Sequence, residues 1–268
     1  MPELPEVQTV VNHIKGELIG QTITNIKPIW PKVFHNFKRK DLFSKNSSIK
    51  ILDVKRRAKF IILQLENSIL AIHLRMTGKL YFWDREIPKH TSVKILFKNK
   101  KCLIFEDVRK FGRFYLYKNL DDINSRHGPE PLEQQFTKTL LLKILTRCKR
   151  NIKSLLLDQS KIAGLGNIYV DESLWLSRIH PNSISNLIPK KKIFELHKSI
   201  QFVLKKAIDN NGTTIIDFTY INGQTGSYAN KLNVYGKKDK VCSYCKTKIK
   251  KTKIAGRGTY FCICQKCF

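Results

Sequence analysis

Acidic residues are scarce in this chain. It holds 21 Asp and Glu against 50 Lys and Arg in 268 residues, a formal charge of +29. Self-repulsion of that size works against a compact state unless a polyanion makes the charge useful. The balance sets the chain apart from ordinary soluble enzymes. It points first to nucleic acid and second to an anionic membrane surface. Abundant Lys, Ile and Asn also match an A/T-rich genome, which adds surface Lys where Lys facing a polyanion is already tolerated. Long apolar runs are missing as well, and none approaches the roughly 20 residues of a membrane span. The opening MPELPEV carries two acids and two prolines, unlike the basic-then-apolar start of a secretory peptide. The expected setting is therefore the cytoplasm, without a membrane; a monomer associated with the nucleoid is expected as well. There the seven cysteines are thiols or metal ligands rather than disulfides. Internal repeats and long low-complexity segments are absent too.

The hydrophobic period changes along the chain. Residues 5–19 read as a helix, with Val7, Val10, Val11, Ile14 and Leu18 on one face, Pro5 in the first turn and Gly20 at the stop. Residues 22–117 read as short strands, among them Ile51–Val54, Phe60–Leu65, Ile69–Leu74, Val93–Phe97 and Cys102–Glu106. Breaks such as Glu66-Asn67-Ser68 and Lys98-Asn99-Lys100 separate them, a spacing that implies a sandwich or barrel. Gly128-Pro129-Glu130-Pro131 reads as a linker. Beyond it, Leu132–Leu145 and Ile193–Ala207 are helix-like, the latter ending near Asn211-Gly212. Residues 154–178 are also helical, interrupted by Gly164-Leu165-Gly166-Asn167. The expected fold class is α+β, in three domains covering 1–131, 132–230 and 231–268.

The last stretch, 231–268, has a net charge of +10 and five of the seven cysteines. Cys242-x2-Cys245 is a metal knuckle, with Cys262, Cys264 and Cys267 within reach. Clustered thiolates in a reducing compartment suit one structural Zn²⁺ in a tetrahedral site. A segment this short and this poor in large apolar groups needs such a staple. Cys102 and Cys148 read as small core or surface residues. Taken alone, the tail describes a zinc-ribbon module that binds DNA or RNA.

The N-terminus adds chemistry. Removal of Met1 would expose the α-amine of Pro2, which titrates near about 8 in model peptides. Cationic surroundings push it further toward the neutral form. A neutral amine can attack a sugar C1′ and form a Schiff base, and Glu3 stands beside it as a proton donor or shuttle.

MPELPEV, RRAKF (56–60), HLRMTGKL (73–80), RKFGR (109–113), GPEPL (128–132), GLGNIYVDE (164–172) and the cysteine tail together resemble the bacterial formamidopyrimidine-DNA glycosylases. The resemblance runs over essentially the whole chain. It implies an N-terminal β-sandwich carrying the N-terminal helix, a helix-two-turn-helix domain and a C-terminal zinc-finger β-hairpin. It also implies excision of oxidised purines from double-stranded DNA by Pro2, with Glu3 assisting sugar-ring opening and β- and δ-elimination following. On the same basis Lys59 is a catalytic proton donor and phosphate contact. Arg257 grips the lesion phosphates and serves the second elimination. Met76, Arg109 and Phe111 fill the gap left by an extruded nucleotide, offsetting part of the unstacking cost. Asn167 is a phosphate ligand, and His73, His90, Lys149 and Lys153 are further DNA contacts. The loop Thr219–Ala229 corresponds to the family's damaged-base loop.

The tail departs from the family's Cys-x2-Cys-x16-Cys-x2-Cys-Gln pattern. Cys242, Cys245 and Cys262 keep register, but the fourth position falls on Gln265. Cys264 retains the Cys-Gln pair and is preferred as fourth ligand; Cys267 is the alternative. Pairing Cys264 with Cys267 and leaving out Cys262 is a third arrangement. Two other functional readings remain: an endonuclease VIII-like glycosylase for oxidised pyrimidines, and a non-catalytic zinc-finger protein that binds damaged DNA. Pro2, Glu3 and Lys59 argue against the pure binder, which has no use for them.

Overall fold

The computed structural model describes residues 1–43, 48–213 and 226–268. The chain divides into two compact units. One comprises Met1–Ser125 with Asn210–Ser227, the other Arg126–Asp209 with Tyr228–Phe268.

In the first unit, helix α1 (Leu4–Leu18) leads into strands β1 (Thr22–Pro28), β2 (Ile49–Arg57), β3 (Phe60–Leu65), β4 (Ile69–His73), β5 (Lys79–Phe82), β6 (Thr91–Phe97), β7 (Cys102–Glu106) and β8 (Arg113–Tyr117). Short helices α2 (Arg39–Leu42) and α3 (Asp121–Asn124) lie in the connections. The strand order is β5-β7-β6-β1-β2-β3-β4-β8, with antiparallel pairing throughout. The β1–β2 join is slight: among the described residues of the two strands, Thr22 pairs with Lys50 and Ile23 with Ile49. The sheet creases there into two four-stranded leaves whose inward side chains share one core. Ile26, Ile95 and Leu103 of one leaf and Val54, Leu63 and Ile72 of the other belong to a single buried cluster. This is the expected sandwich. Val7, Val10, Val11, Ile14 and Leu18 of α1 join the same cluster, so the helical apolar stripe is anchored by the core and fixes the N-terminus. Pro5 sits in the first turn, and the Glu6 carboxylate accepts the Glu3 N–H at 2.8 Å. That satisfies one of the helix's orphan donors.

The second unit holds α4 (Lys138–Thr146), α5 (Ile152–Leu157), α6 (Asn167–Leu176), α7 (Lys190–Asp209) and the hairpin β9 (Lys250–Ile254)–β10 (Arg257–Phe261). Thr137 caps α4 by accepting the Leu140 N–H at 3.1 Å, and Asn151 caps α5 by accepting that of Ser154 at 3.0 Å. The helix expected from Leu132 therefore begins at Lys138, because residues 132–137 form the turns that lead into the Thr137 cap. Helix α6 is the unit's centre, with Ile168 through Leu174 all buried. The segment read as a linker is fastened to this unit. Gly128 N–H donates to Gln159 O at 2.8 Å and Ala163 N–H to Pro129 O at 3.0 Å. A Cβ on Gly128 would lie 2.5 Å from the Lys161 carbonyl, so a close backbone crossing requires glycine there.

Candidate active site and nucleic-acid interface

Pro2 and Glu3 are buried at the start of α1, while Met1 is 47% exposed. With Met1 in place the Pro2 nitrogen is an amide without a free lone pair, so the chemistry read from the sequence requires its removal. Glu6, which the sequence reading did not single out, ties this end to a second segment. Its other oxygen accepts the Thr213 N–H at 2.9 Å and the Thr213 hydroxyl at 3.1 Å. Thr213 pairs with Ser227 in an isolated bridge, across the neck of the segment expected to form the damaged-base loop. Residues 219–225 of that loop lie outside the described residues.

Ala58 and Lys59 form the two-residue turn between β2 and β3, where Arg57 pairs with Phe60. Ala58 has φ 51°, a conformation that non-glycine residues adopt only when their surroundings impose it. The Arg56 guanidinium donates to Ala58 O at 3.0 Å, and Arg57 donates to Asn124 Oδ1 at 2.7 Å. Lys59 is thereby held in a buried place at a fixed turn.

Met76, Arg109 and Phe111 are exposed on two loops of the sheet unit. The Arg109 guanidinium lies 5.0 Å from the Phe111 ring centroid, a cation–π distance. Each loop contains a left-handed non-glycine residue, Arg75 at φ 57° and Lys110 at φ 55°. The first is supported by His73, whose Nδ1 accepts the Arg75 N–H at 3.0 Å. His73 also packs edge-on against Phe60, so it holds the loop as well as lining it. Both loops converge on Asp107, which is fully buried. One Asp107 oxygen accepts the Thr77 hydroxyl at 2.5 Å and the Arg109 N–H at 3.3 Å; the other accepts the Gly112 N–H at 2.7 Å. The Asp107 N–H donates to the His90 carbonyl at 3.0 Å, and His90 itself is half-buried.

In the second unit, Arg257 is exposed immediately after the hairpin turn. The turn residues Ala255 and Gly256 have φ 50° and 72°, the signature of a type I′ turn. Asn167 opens α6, and its Nδ2 donates to Gly258 O at 2.9 Å. Lys149 is exposed. Lys153 stands differently from the DNA contact expected of it. It is fully buried, its ammonium 2.6 Å from Asp171 Oδ1 and 2.8 Å from the Thr259 hydroxyl. Asp171 Oδ2 accepts the Tyr260 N–H at 2.9 Å. Burial pushes the Asp171 carboxyl up to about 6, although the Lys153 charge pulls it back. In this arrangement Lys153 fastens β10 to α5 and α6. The neighbouring Glu172 acts likewise, accepting the N–H groups of Asn233, Val234 and Tyr235.

The sulfurs of Cys242, Cys245, Cys262 and Cys264 all lie within 4.8 Å of one another. Zn–S bonds of about 2.3 Å place tetrahedral sulfurs roughly 3.8 Å apart, so this donor set fits a metal of that kind after small adjustments. Cys267 is exposed and is not part of the group. Gln265, which occupies the family's fourth-ligand position, is otherwise engaged. Its Oε1 accepts the Cys262 N–H at 2.7 Å and its Nε2 donates to Ile179 O at 2.8 Å.

The residues that tie these candidate site segments together, and that the sequence pattern does not single out, are Glu6, Thr77, Asp107, Asp171 and Glu172. The available signal was acid scarcity: each of these four carboxylates sits inside or beside a quoted motif of a chain poor in acids. Which backbone donors they collect depends on contacts far apart in sequence.

Two family models match the chain, the formamidopyrimidine-DNA glycosylase N-terminal domain over residues 1–114 and the formamidopyrimidine-DNA glycosylase H2TH domain over residues 127–219. A protein of Lactobacillus helveticus named formamidopyrimidine-DNA glycosylase is 41% identical over 98% of this chain and 97% of its own length. One of Pelotomaculum thermopropionicum with the same name is 42% identical over 99% of each. Among solved structures, a Lactococcus lactis FPG mutant in complex with Fapy-dG-containing DNA superposes with a TM-score of 0.91. It is 37% identical and the match covers 99% of this chain and 100% of that one. MutM in complex with DNA containing carbocyclic 8-oxo-G superposes at 0.90 with 38% identity and the same coverage.

Proposed function

The chain belongs to the formamidopyrimidine-DNA glycosylase family, and on that premise we propose that it is a base-excision-repair enzyme that removes oxidised purines from duplex DNA and then cuts the strand as a lyase. The observation that carries the proposal is the placement of Pro2 and Glu3, buried at the N-terminus of a helix anchored in the sandwich core. The positive end of the α1 dipole disfavours a protonated amine beside it. That helps the Pro2 α-amine, once Met1 is removed, to stand neutral at physiological pH.

The neutral amine attacks C1′ of the damaged nucleotide, the C1′–N bond to the purine breaks, and Glu3 delivers a proton to the sugar ring oxygen as the ring opens. The resulting imine acidifies the C2′ proton. Its loss expels the 3′ phosphate, and a second elimination expels the 5′ phosphate. Lys59 supplies a proton and a phosphate contact in the first elimination, and Arg257 serves the second. Met76, Arg109 and Phe111 occupy the space left by the extruded nucleotide, with the Arg109 guanidinium bonding the orphaned cytosine. Asn167, His73, His90 and Lys149 contact the backbone. Cys242, Cys245, Cys262 and Cys264 hold a structural Zn²⁺, whose contribution is to fix the hairpin that presents Arg257.

Borohydride trapping on an 8-oxoguanine·cytosine duplex tests this. Protein whose first residue is Pro2 should give a covalent adduct that disappears on Pro2→Gly or Nα-acetylation. Absence of an adduct from folded, zinc-loaded protein would overturn the reading.

A further inference from the structure

Three exposed residues expected at the lesion have no common strand. Met76 follows β4, while Arg109 and Phe111 follow β7. They share one buried carboxylate. Asp107 accepts the Thr77 hydroxyl beside Met76, the Arg109 N–H, and the Gly112 N–H beside Phe111. The Arg109 N–H is also 3.2 Å from the Thr77 hydroxyl oxygen, which closes the joint between the loops. Through its own N–H, Asp107 holds the His90 carbonyl. Among the described residues no cation is paired with it, so this carboxylate is spent entirely on loop donors.

Two residues earlier, Phe105 provides the floor. A Cβ on Gly78 would come 2.7 Å from its ring, and a Cβ on Gly112 would overlap the same ring while lying 3.1 Å from Asp107 Oδ2. Both loops therefore approach one ring so closely that each needs a glycine at the contact, and both donate to the one carboxylate beside it. The carboxylate thereby steadies two loops that carry a left-handed residue each, Arg75 beside Met76, which His73 also supports, and Lys110 between Arg109 and Phe111.

We propose that Asp107, seated beside Phe105, is the positioning residue that holds Met76, Arg109 and Phe111 ready before DNA arrives. The inference rests on the proposed lesion-excision reading. Asp107 is buried and its oxygens are occupied, so it acts through the loops rather than on the reacting atoms. Its loss should therefore tax the extrusion of a paired base and spare chemistry on a site that has no base to extrude.

The test compares wild type, Asp107→Asn and Thr77→Val on two substrates. One is an 8-oxoguanine·cytosine duplex read by single-turnover excision; the other is a single-stranded abasic oligonucleotide read by borohydride trapping. Asp107→Asn places an amide N–H against the Gly112 or Thr77–Arg109 donors and should slow duplex excision on the order of a hundredfold, the scale of about 1 Å of misplacement. Trapping on the abasic strand should stay within about threefold, because no stacked base is lifted there. Thr77→Val removes one hydroxyl and leaves the Gly112 bond, so it should slow duplex excision roughly tenfold with trapping unchanged. Cytosine-over-adenine preference opposite the lesion should fall in both variants. Equal losses on the two substrates, or no loss on either, would overturn the proposal. If Asp107→Asn does not fold, Thr77→Val decides by the same criteria. A wild-type protein inactive on both substrates would instead break the lesion-excision reading itself.

Discussion

The sandwich and the cysteine-bearing hairpin are held by opposite means. In the sheet unit, α1 and both leaves bury one continuous apolar cluster running from Val7 to Phe114. The hydrophobic cluster of the hairpin region is small, its buried members being Val234, Cys242, Ile249 and Cys262, and Lys250 through Lys253 of β9 are exposed. What replaces apolar area there is polar: four converging thiols, the Lys153–Asp171 pair and the Glu172 carboxylate on three successive N–H groups. A core of that kind depends on every ion keeping its partner, since a buried charge left alone is costly. The contrast teaches that the two groups of site residues fail under different insults. The frame of the sheet unit answers to packing and its site loops to the buried Asp107 carboxylate, whereas on the proposed reading Arg257 answers to metal and charge.

Metal removal should break the comparison most sharply. Chelation is expected to abolish strand cutting on a lesion duplex while the near-ultraviolet circular dichroism of the aromatic-rich sandwich persists. Full cutting by metal-free protein, or collapse of the sandwich together with the hairpin, would show that the two regions are not separately held. A core truncation addresses the other side. Leu63→Ala, at a side chain with no exposure, should cost about 4 kcal/mol in denaturant unfolding through lost transfer energy and a cavity. Zinc content should be unaffected. Lys153→Met sharpens the hairpin's side of the contrast. It should cost about 3 kcal/mol, the low end for a broken buried pair, because Asp171, already pushed up to about 6 by burial, takes up a proton rather than remain an unpaired charge. Arg257-dependent second elimination should weaken more than adduct formation by Pro2. Equal weakening of both steps would mean that Lys153 does not act through the hairpin.

Much of this arrangement was legible in the sequence. Apolar periodicity located α1 to within a residue at each end, because the stripe Val7, Val10, Val11, Ile14 and Leu18 is set by helical geometry alone. The β3 and β6 segments were legible for a similar reason, being short apolar runs between turn residues. The retained Cys-Gln pair points to Cys264 as fourth thiol, and the four-sulfur group includes it. Lys153 shows where reading stopped. The resemblance implies that it contacts DNA, yet its partner Asp171 lies on the next helix and Thr259 is 106 residues away. Nothing local to Lys153 signals that pairing. The start of α4 shifted for a local reason: Thr137 offers a cap that the hydrophobic pattern from Leu132 does not register.

By itself the sequence determined the chemistry available to this protein: a prolyl amine behind a removable methionine, a thiol cluster fit for zinc, and a positive charge that demands a polyanion. Those follow from residue type and short spacing, which survive in the unfolded chain. Only the tertiary structure decided how the groups are aimed. Asp107 reaches Thr77 across 30 residues, and Glu6 reaches Thr213 across 207. Burial makes such bonds obligatory, since a carboxylate withdrawn from water must find donors, and the fold alone settles which donors are near.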